Sequence, residues 1–294
     1  MYRLLHKIIK ILSIFVFGLV IVSCEIINPD DPIPCYLEIN ELNLKTVYGQ
    51  GTASHNITDA WVYVDDKPIG AFELPAKFPV IADGVHKLTI MAGIKLHGIA
   101  STRVYYPLYK PITANINFIK GEVIILDSLI DLSTTYNDNV SFAWIEDFEE
   151  GGVSIDSVLG SETRIYKTQL QAFEGDWSGK INLHDTIDSF LAKSIDKYVL
   201  PKNNTPVFLE LNYKTDYPFE VGVYSNEPQG YSVRHEVLTI NPKNSWNKIY
   251  INLTPTVSRE VNAIDFNIYF RSILDDATNE AEIFIDNIKL VHSN

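Results

Sequence analysis

Short runs of alternating apolar and polar residues, repeatedly broken by turn-forming residues, are the feature that most limits the fold of this chain. The stretches FLELNYK at 208–214 and KIYINL at 248–253 are typical of the pattern. Such alternation places successive side chains on opposite faces of a β-strand. Beyond the first 23 residues, only residues 187–199 have a spacing compatible with a helix. The sequence therefore predicts an all-β fold.

The N-terminus has a different pattern. Arg3, Lys7 and Lys10 occur there without any acidic residue, and they precede the apolar run ILSIFVFGLVIV at 11–22. A basic segment followed by a short apolar one indicates a secretory signal peptide, here residues 1–23. The run is shorter than the ~20 apolar residues that a membrane-spanning helix needs. An uncleaved N-terminal anchor is the alternative.

The residues IVSC at 21–24 resemble the bacterial lipobox, in which a cysteine is acylated and becomes the new N-terminus. This resemblance implies that Cys24 carries lipid and attaches the protein to a membrane. The acidic, proline-containing residues 24–35 are expected to form a tether, and they resemble export signals of surface lipoproteins in the Bacteroidetes. The implied location is the cell envelope, at the outer membrane, with display at the cell surface as a further expectation.

The number of cysteines and the net charge exclude a disulfide-stabilised fold and a nucleic-acid-binding function. If Cys24 is acylated, Cys35 has no partner, so no internal disulfide is expected and stability must come from buried cores. Removing residues 1–23 with their three basic side chains changes the formal net charge from −13 to −16. So acidic a chain repels phosphate backbones, which excludes nucleic acid as a partner.

A first β-sandwich is expected at residues 36–127. The stretch AWVYVDDKPIGAF at 60–72 alternates on both sides of a turn at Asp65 and Asp66, as a hairpin does. Together with DGVHKLTIMAG at 83–93, it resembles the PEGA-like domain, a small β-sandwich that serves as a spacer or binding module on bacterial envelopes. The chain has Asp66 where that family usually has glycine. His86 lies in a strand without a second metal-ligating residue nearby, so we expect it to be structural.

A linker is expected at 128–141, followed by a second domain at 142–294. The segments WIEDFEEGG at 144–152 and IFIDNIKLVHSN at 283–294 resemble the two ends of the galactose-binding-like jelly roll found in carbohydrate-binding modules. The resemblance implies that Glu149 and Asp286 meet across the sandwich, often around a structural calcium ion. The alternative is that the two acids only begin a strand and cap a bulge. No organic cofactor is expected.

Alternation also predicts which side chains of the second domain point away from its core. The expected outer faces combine aromatic rings with planar polar groups, an inventory that suits sugar binding and also suits an ordinary solvated sheet. Trp177 and Trp246 lie near turns, where they serve either as loop-end ligand contacts or as core plugs. The expected outward-facing residues are Asn212, Tyr224, Tyr250, Asn267, Tyr269 and Arg271.

Catalytic motifs are missing from the sequence. It contains no GxSxG, HExxH, phosphate-binding glycine loop or CxxC, and we expect no enzymatic activity. The function expected is that of a lipid-anchored envelope protein that binds a glycan through the second domain. The first alternative is a structural or adaptor lipoprotein that binds another surface protein, and the second alternative is a hydrolase.

Overall fold

The computed structural model describes residues 2–3, 6–10 and 31–294. The expected lipidation site Cys24, most of the signal peptide and most of the tether lie outside the described residues. Residues 2–3 and 6–10 are helical and exposed. Within the described part of the chain, no helix has the length and apolar character needed to cross a membrane.

The first part of the chain forms ten strands and one 3₁₀ turn, Leu126–Ser128. The strands are β1 (Cys35–Ile39), β2 (Asn43–Leu44), β3 (Ile57–Val64), β4 (Lys67–Glu73), β5 (Ala76–Val80), β6 (Gly84–Lys95), β7 (Arg103–Tyr105), β8 (Ile112–Phe118), β9 (Val123–Ile125) and β10 (Ser133–Thr134).

The second part forms eleven strands and a short helix, Thr254–Arg259. The strands are β11 (Val140–Glu146), β12 (Ile155–Ser157), β13 (Tyr166–Thr168), β14 (Ser178–His184), β15 (Ser189–Ser194), β16 (Val207–Thr215), β17 (Phe219–Asn226), β18 (Ser232–Ile240), β19 (Lys243–Asn252), β20 (Asp265–Ile273) and β21 (Glu280–Ser293).

The strands assemble into four main sheets. In the first sandwich, sheet I has the order β4-β3-β6-β7 with β8 also paired to β6, and sheet II has the order β5-β1-β9. In the second sandwich, sheet III has the order β13-β14-β21-β16-β19 with β11 also paired to β21, and sheet IV has the order β12-β15-β20-β17-β18. The prediction of an all-β fold is confirmed.

The predicted helix at 187–199 is wrong. Residues Ser189–Ser194 form β15, in which Phe190, Ala192 and Ser194 are buried and the residues between them are only half-buried. Burial at every second residue is the period of a strand, and pairing with β20 satisfies the backbone.

The predicted hairpin turn has the backbone geometry that its position demands. Asp65 and Asp66 both have positive φ, 48° and 62°, so the two-residue turn matches the twist of the strands β3 and β4 that it joins. Aspartate tolerates this left-handed region better than most residues do. His86 bridges this turn to the next one, because its ring nitrogens lie 2.6 Å from the Asp65 carboxylate and 3.0 Å from the Asp83 carbonyl oxygen.

Each sandwich encloses its own apolar core, and all described core residues lie between Cys35 and Val291. Within the described part of the chain, residues from 35 to 291 thus form both cores. The cores meet at one place, where Phe208, Tyr250 and Val291 of the second sandwich complete the first core. We call this contact region the junction.

The segment 128–141, expected to be a linker, contributes to the first sandwich instead. Leu132 and Tyr136 are buried in its core, and β10 pairs with β2. Polar residues hid this from the sequence prediction: Thr134 is buried together with Leu132 and Tyr136 although it is polar, and its hydroxyl donates to the Lys110 carbonyl oxygen.

Candidate functional site

Two of the expected outward-facing residues are buried at the junction. Tyr250 is 1% exposed, and its hydroxyl accepts a hydrogen bond of 3.0 Å from the backbone N–H of Asn56. The Asn212 side-chain oxygen accepts a 3.0 Å bond from the Ser54 hydroxyl. The prediction that Asn212 and Tyr250 lie on an open face is wrong, because the first sandwich covers this half of the outer face of sheet III.

A buried ionic network occupies the same half of sheet III. The Glu210 carboxylate accepts hydrogen bonds from the hydroxyls of Tyr106, at 2.7 Å, and Tyr136, at 3.0 Å. The Lys248 ammonium lies 3.4 Å from the same carboxylate. Burial raises the pKa of both tyrosines well above the usual value and lowers the pKa of Lys248. These groups connect the two sandwiches and are closed to a ligand.

The outer face of sheet IV brings together the other four expected residues, and the first sandwich does not cover it. Tyr224 pairs with Asn267 across β17 and β20, and Tyr269 and Arg271 follow on β20. The ring centroids of Tyr224 and Tyr269 are 5.3 Å apart. We call this surface the sheet IV face, and it consists of Lys193, Glu220, Tyr224, Arg234, Asn267, Tyr269 and Arg271.

Tyr269 forms the floor of this face. It is 0% exposed, its hydroxyl donates to Glu220, and the Arg234 guanidinium lies 5.7 Å from its ring centroid. Burial raises its pKa well above the usual value. Gly222 makes room for the ring, since a β-carbon there would lie 2.6 Å from a Tyr269 ring carbon.

The remaining side chains of the sheet IV face differ in their exposure to solvent. Asn267 is buried, and its amide donates to the backbone carbonyls of Ser194 and Asp196, both at 2.9 Å, so its role is structural. Tyr224 is partly open, with the Lys193 ammonium 5.4 Å from its ring centroid. Arg271 is also partly open and donates to Glu220 at 2.8 Å.

Sequence reasoning missed three members of this face: Lys193, Glu220 and Arg234. Glu220 precedes Val221 on β17, so alternation assigns it to the outer side that Tyr224 shares. That signal was available in the sequence. Lys193 and Arg234 could not be assigned in the same way, because their position depends on which strands flank β17 and β20.

The two candidate tryptophans lie in other places. The Lys167 ammonium lies 4.9 Å from the ring centroid of Trp177. Trp246 packs edge-on against Phe173, with 5.7 Å between the ring centroids. A cavity of about 260 Å³ opens on the uncovered half of sheet III. It is lined by Gln171, Lys214, Thr215, Asp216, Asn244, Glu282 and Phe284. The structure does not join either tryptophan to the sheet IV face.

Glu149 and Asp286 hold one loop through backbone hydrogen bonds. Glu149 accepts the N–H groups of Asp176 and Trp177, at 3.0 and 2.9 Å, and Asp286 accepts that of Phe173 at 3.0 Å. Burial raises the pKa of Asp286 to about 7, against the opposite effect of the N–H groups of Phe173, Asn287 and Glu174.

These contacts do not fit a calcium shell. N–H groups pointing at a carboxylate oxygen occupy the positions that a cation would take, and calcium needs six to eight oxygen ligands. Among residues 2–3, 6–10 and 31–294, no three His, Cys, Asp or Glu side chains converge at metal-binding spacing. Calcium binding at Glu149 and Asp286 stays a prediction.

The first sandwich exposes an aromatic strip on sheet I. Trp61 and Tyr63 on β3 pair with Met91 and Thr89 on β6, and Tyr105 on β7 packs edge-on against Trp61 at 5.9 Å. Tyr105 is 42% exposed. One cavity of about 290 Å³ next to it is shared by both sandwiches, since Pro107 lines one side and Phe208 the other.

Comparisons with known proteins give distant structural likenesses. No family model matches the chain, and no curated protein matches it. A xylan-binding domain of carbohydrate-binding module family 22 is 15% identical, with 52% of this chain and 94% of that one covered and a TM-score of 0.36. The C-terminal family 22 module of Clostridium thermocellum Xyn10B is 13% identical, with coverage of 53% and 95% and a TM-score of 0.38. A carbohydrate-binding module of the β-sandwich superfamily is 14% identical, with coverage of 89% and 99% and a TM-score of 0.37.

Proposed function

We propose that this protein is a non-catalytic glycan-binding protein of the cell envelope and that it holds a saccharide on the sheet IV face. The observation that carries the proposal is the position of Tyr224. Its ring lies beside Tyr269 on an uncovered sheet surface, within reach of the charged side chains of Lys193 and Arg234.

The chemistry of this face matches that of a sugar. The apolar side of a pyranose ring stacks on an aromatic ring, and its hydroxyls pair with planar polar groups held in fixed positions. Glu220 is such a fixed acceptor, because Tyr269 and Arg271 both donate to it. Arg234 lies opposite Tyr224 on β18, and Arg271 lies opposite Glu220 on β20, so the face has cationic donors at two places along its length. The rigid floor means that little side-chain entropy is lost on binding.

The place of action follows from the N-terminal sequence. Acylation of Cys24, in the IVSC motif, would attach the chain to the outer membrane, and display at the cell surface would bring it to external glycans. Mass spectrometry of the protein from its native membrane tests this part separately. A mature N-terminus at Cys24 carrying acyl chains supports anchoring, and an unmodified N-terminus elsewhere contradicts it.

A glycan array probed with residues 31–294 tests the binding proposal, with calcium and again with chelator. We expect a saturable hit that Tyr224→Ala and Arg234→Ala each weaken about five- to thirtyfold, since each removes about 1–2 kcal/mol of contact. Tyr48→Ala, at a fully exposed tyrosine of the first sandwich, is the matched control and leaves binding intact.

One further variant locates the site. Lys214→Ala changes only the cavity on sheet III, so a loss confined to that variant moves the glycan away from the sheet IV face. An array without any hit contradicts glycan binding altogether. Release of reducing ends from a bound glycan would establish the hydrolase alternative instead.

The aromatic strip on sheet I favours a second candidate function, that of an adaptor which binds another surface protein. Trp61, Tyr63 and Tyr105 are side-chain types enriched at protein interfaces, and the cavity beside Tyr105 spans both sandwiches. Photo-crosslinking from position 105 on intact cells tests it. A discrete adduct that Trp61→Ala abolishes supports the adaptor function, and the absence of any adduct argues against it.

A further inference from the structure

One end of the first sandwich exposes a cluster of apolar side chains. Its rim is formed by the turns that follow β5 and β8, and its flank by the outer side of sheet II. Ile81 and Val85 are each 70% exposed. We call this cluster the apolar base, and its members are Ile33, Tyr36, Ile81, Val85, Ile119, Val123 and Ile125.

Backbone contacts hold the members of the apolar base together. Cys35 pairs with Val80, which places Ile81 opposite the residues that precede β1. The N–H of Gly121 donates to the carbonyl oxygen of Pro34 at 3.0 Å. The Lys120 ammonium lies 3.0 Å from the Asp83 carboxylate, so the two rim turns are adjacent. The two rim turns and the start of β1 therefore lie together at one end of the first sandwich.

The apolar base faces away from the second sandwich. Strand β6 begins at the base with Gly84 and ends at Lys95, close to the junction, where the N–H of His97 donates to the carbonyl oxygen of Tyr250. Twelve residues of extended strand span about 36 Å. The base and the sandwich that carries the sheet IV face thus lie at opposite ends of β6.

The chain enters the fold at this same end. Residue 31 is the first described residue of the β-sheet region, and Ile33 already belongs to the apolar base. Cys24 lies seven residues earlier, a stretch that reaches at most about 25 Å when fully extended. A lipid on Cys24 would keep the base within that distance of the bilayer surface.

We propose that the apolar base rests on the lipid bilayer, so that the first sandwich stands upright on the membrane and directs the second sandwich outward. The chemistry fits the interfacial zone of a bilayer, where branched aliphatic side chains enter the boundary of the acyl region and tyrosine sits at headgroup level. Lys77 and Lys120, each about half exposed, border the base, where they form ion pairs with Glu38 and Asp83. Exposed apolar side chains gathered at one end of a domain mark a membrane or protein contact, and the short tether favours the membrane.

This inference rests on the proposed anchoring, but a tethering experiment separates the two. A histidine tag placed directly before residue 31 attaches the chain from residue 31 onward to phosphatidylcholine vesicles that contain a nickel-chelating lipid. Acylation of Cys24 is then irrelevant. An environment-sensitive fluorophore is attached to Ile81→Cys or Ile119→Cys, with Ile264→Cys of the second sandwich as the matched control. Cys35 does not react because it is buried.

Tethering should shift the emission of the label to shorter wavelength at positions 81 and 119 and make it sensitive to quencher-labelled lipids. The label at position 264 should be unaffected, although Ile264 is 53% exposed. Labels at 81 and 119 that stay in water on fully tethered chains overturn the proposal. So does shielding that appears without vesicles and grows with protein concentration, because the base would then bind a second copy of the chain.

Discussion

Glu210 of the second sandwich accepts a 2.7 Å hydrogen bond from the hydroxyl of Tyr106 in the first, and both side chains are almost completely buried. Glu210 lies on β16, whose other face packs in the second core, while Tyr106 belongs to the first core. A buried carboxylate is tolerated only when its partners stay in place. Separation of the sandwiches would leave Glu210 and Lys248 without these partners, so the two cores are expected to unfold together.

Replacing Tyr106 with phenylalanine tests this coupling. Tyr106→Phe keeps the ring that packs against Phe208 and Tyr250 but removes the hydroxyl that Glu210 needs. We expect the free energy of unfolding in urea to fall by about 1–3 kcal/mol, because a buried charged acceptor loses a partner. Circular dichroism and tryptophan fluorescence should still report one common transition.

The control for this variant is Tyr48→Phe, at a fully exposed position, which should leave stability unchanged. Two separate transitions in the wild-type protein would contradict the coupling. If Tyr106→Phe has the same free energy of unfolding as the wild type, the hydrogen bond from Tyr136 is sufficient to stabilise the buried Glu210 carboxylate.

Lys289, at the junction, should make the free energy of unfolding depend on pH in the alkaline range. Its ammonium donates to the Thr52 carbonyl oxygen, and burial lowers its pKa to about 8. The unfolded chain keeps the usual lysine value, 10.5, and therefore binds more protons than the folded chain between about pH 8 and 10.5. The contribution of Lys289 to the free energy of unfolding rises with pH across that range, by about 2 kcal/mol at most between pH 8 and 9.5.

Comparison with Lys289→Met isolates this contribution. The difference in unfolding free energy between wild type and variant should change in favour of the wild type as pH increases from 8 to 9.5. The half-buried Lys214→Met serves as the control, and its difference from the wild type should stay constant. A constant difference for Lys289→Met as well would show that the lysine stays protonated throughout.

The faces of the strands could be predicted from the sequence, but their neighbours could not. Alternation in FLELNYK placed Leu209 and Leu211 in the core and Glu210 on the other face, as the structure has them. What covers that other face depends on residues about a hundred positions away, such as Tyr106. A period of two tells which residues share a face and says nothing about whether water or another domain lies above it.

The same limit explains the mixed outcome at the candidate site. Alternation predicted that Tyr224, Tyr269 and Arg271 each point away from the second core, and the pairing of β17 with β20 brings the three to one face. The burial of Tyr269 could not be foreseen, since it depends on Gly222 beneath it and on the Arg234 side chain next to its ring. Gly222 lies on the adjacent strand β17 and Arg234 on β18, the strand beyond it.

The pair of Asp65 and His86 should affect stability at mildly acidic pH. The hydrogen bond to Asp65 raises the pKa of His86 above 6.5, and the hydrogen bond to His86 lowers the pKa of Asp65 below 3.8. The contribution of His86 is complete below pH 6.5 and is lost as pH rises through its folded-state pKa. The contribution of Asp65 is complete above pH 3.8 and is lost as pH falls through its folded-state pKa. Both are present between about pH 4 and 6.5.

Proton NMR titration of the His86 ring measures this directly. Asp65→Asn should lower the pKa of His86 toward the ordinary histidine value, because the carboxylate is removed. Asp66→Asn is the matched control, since Asp66 occupies the same turn but pairs with Lys87. Equal effects of the two substitutions would indicate a general charge effect rather than the specific pair.

Gly222→Ala should damage the sheet IV face more than any other small substitution there. A β-carbon at this position would lie 2.2 Å from the carbonyl oxygen of His235 and 2.6 Å from the Tyr269 ring, so both must move. We expect the unfolding free energy to fall by about 1–3 kcal/mol and glycan retention to weaken, because the Tyr269 ring would have to leave its position beside Tyr224. Gly151→Ala, which meets no atom within 4 Å, should change neither quantity. If Gly222→Ala lowered stability but left glycan binding intact, the bound sugar would not depend on the Tyr224 and Tyr269 arrangement, and the binding surface would have to lie elsewhere on the second sandwich.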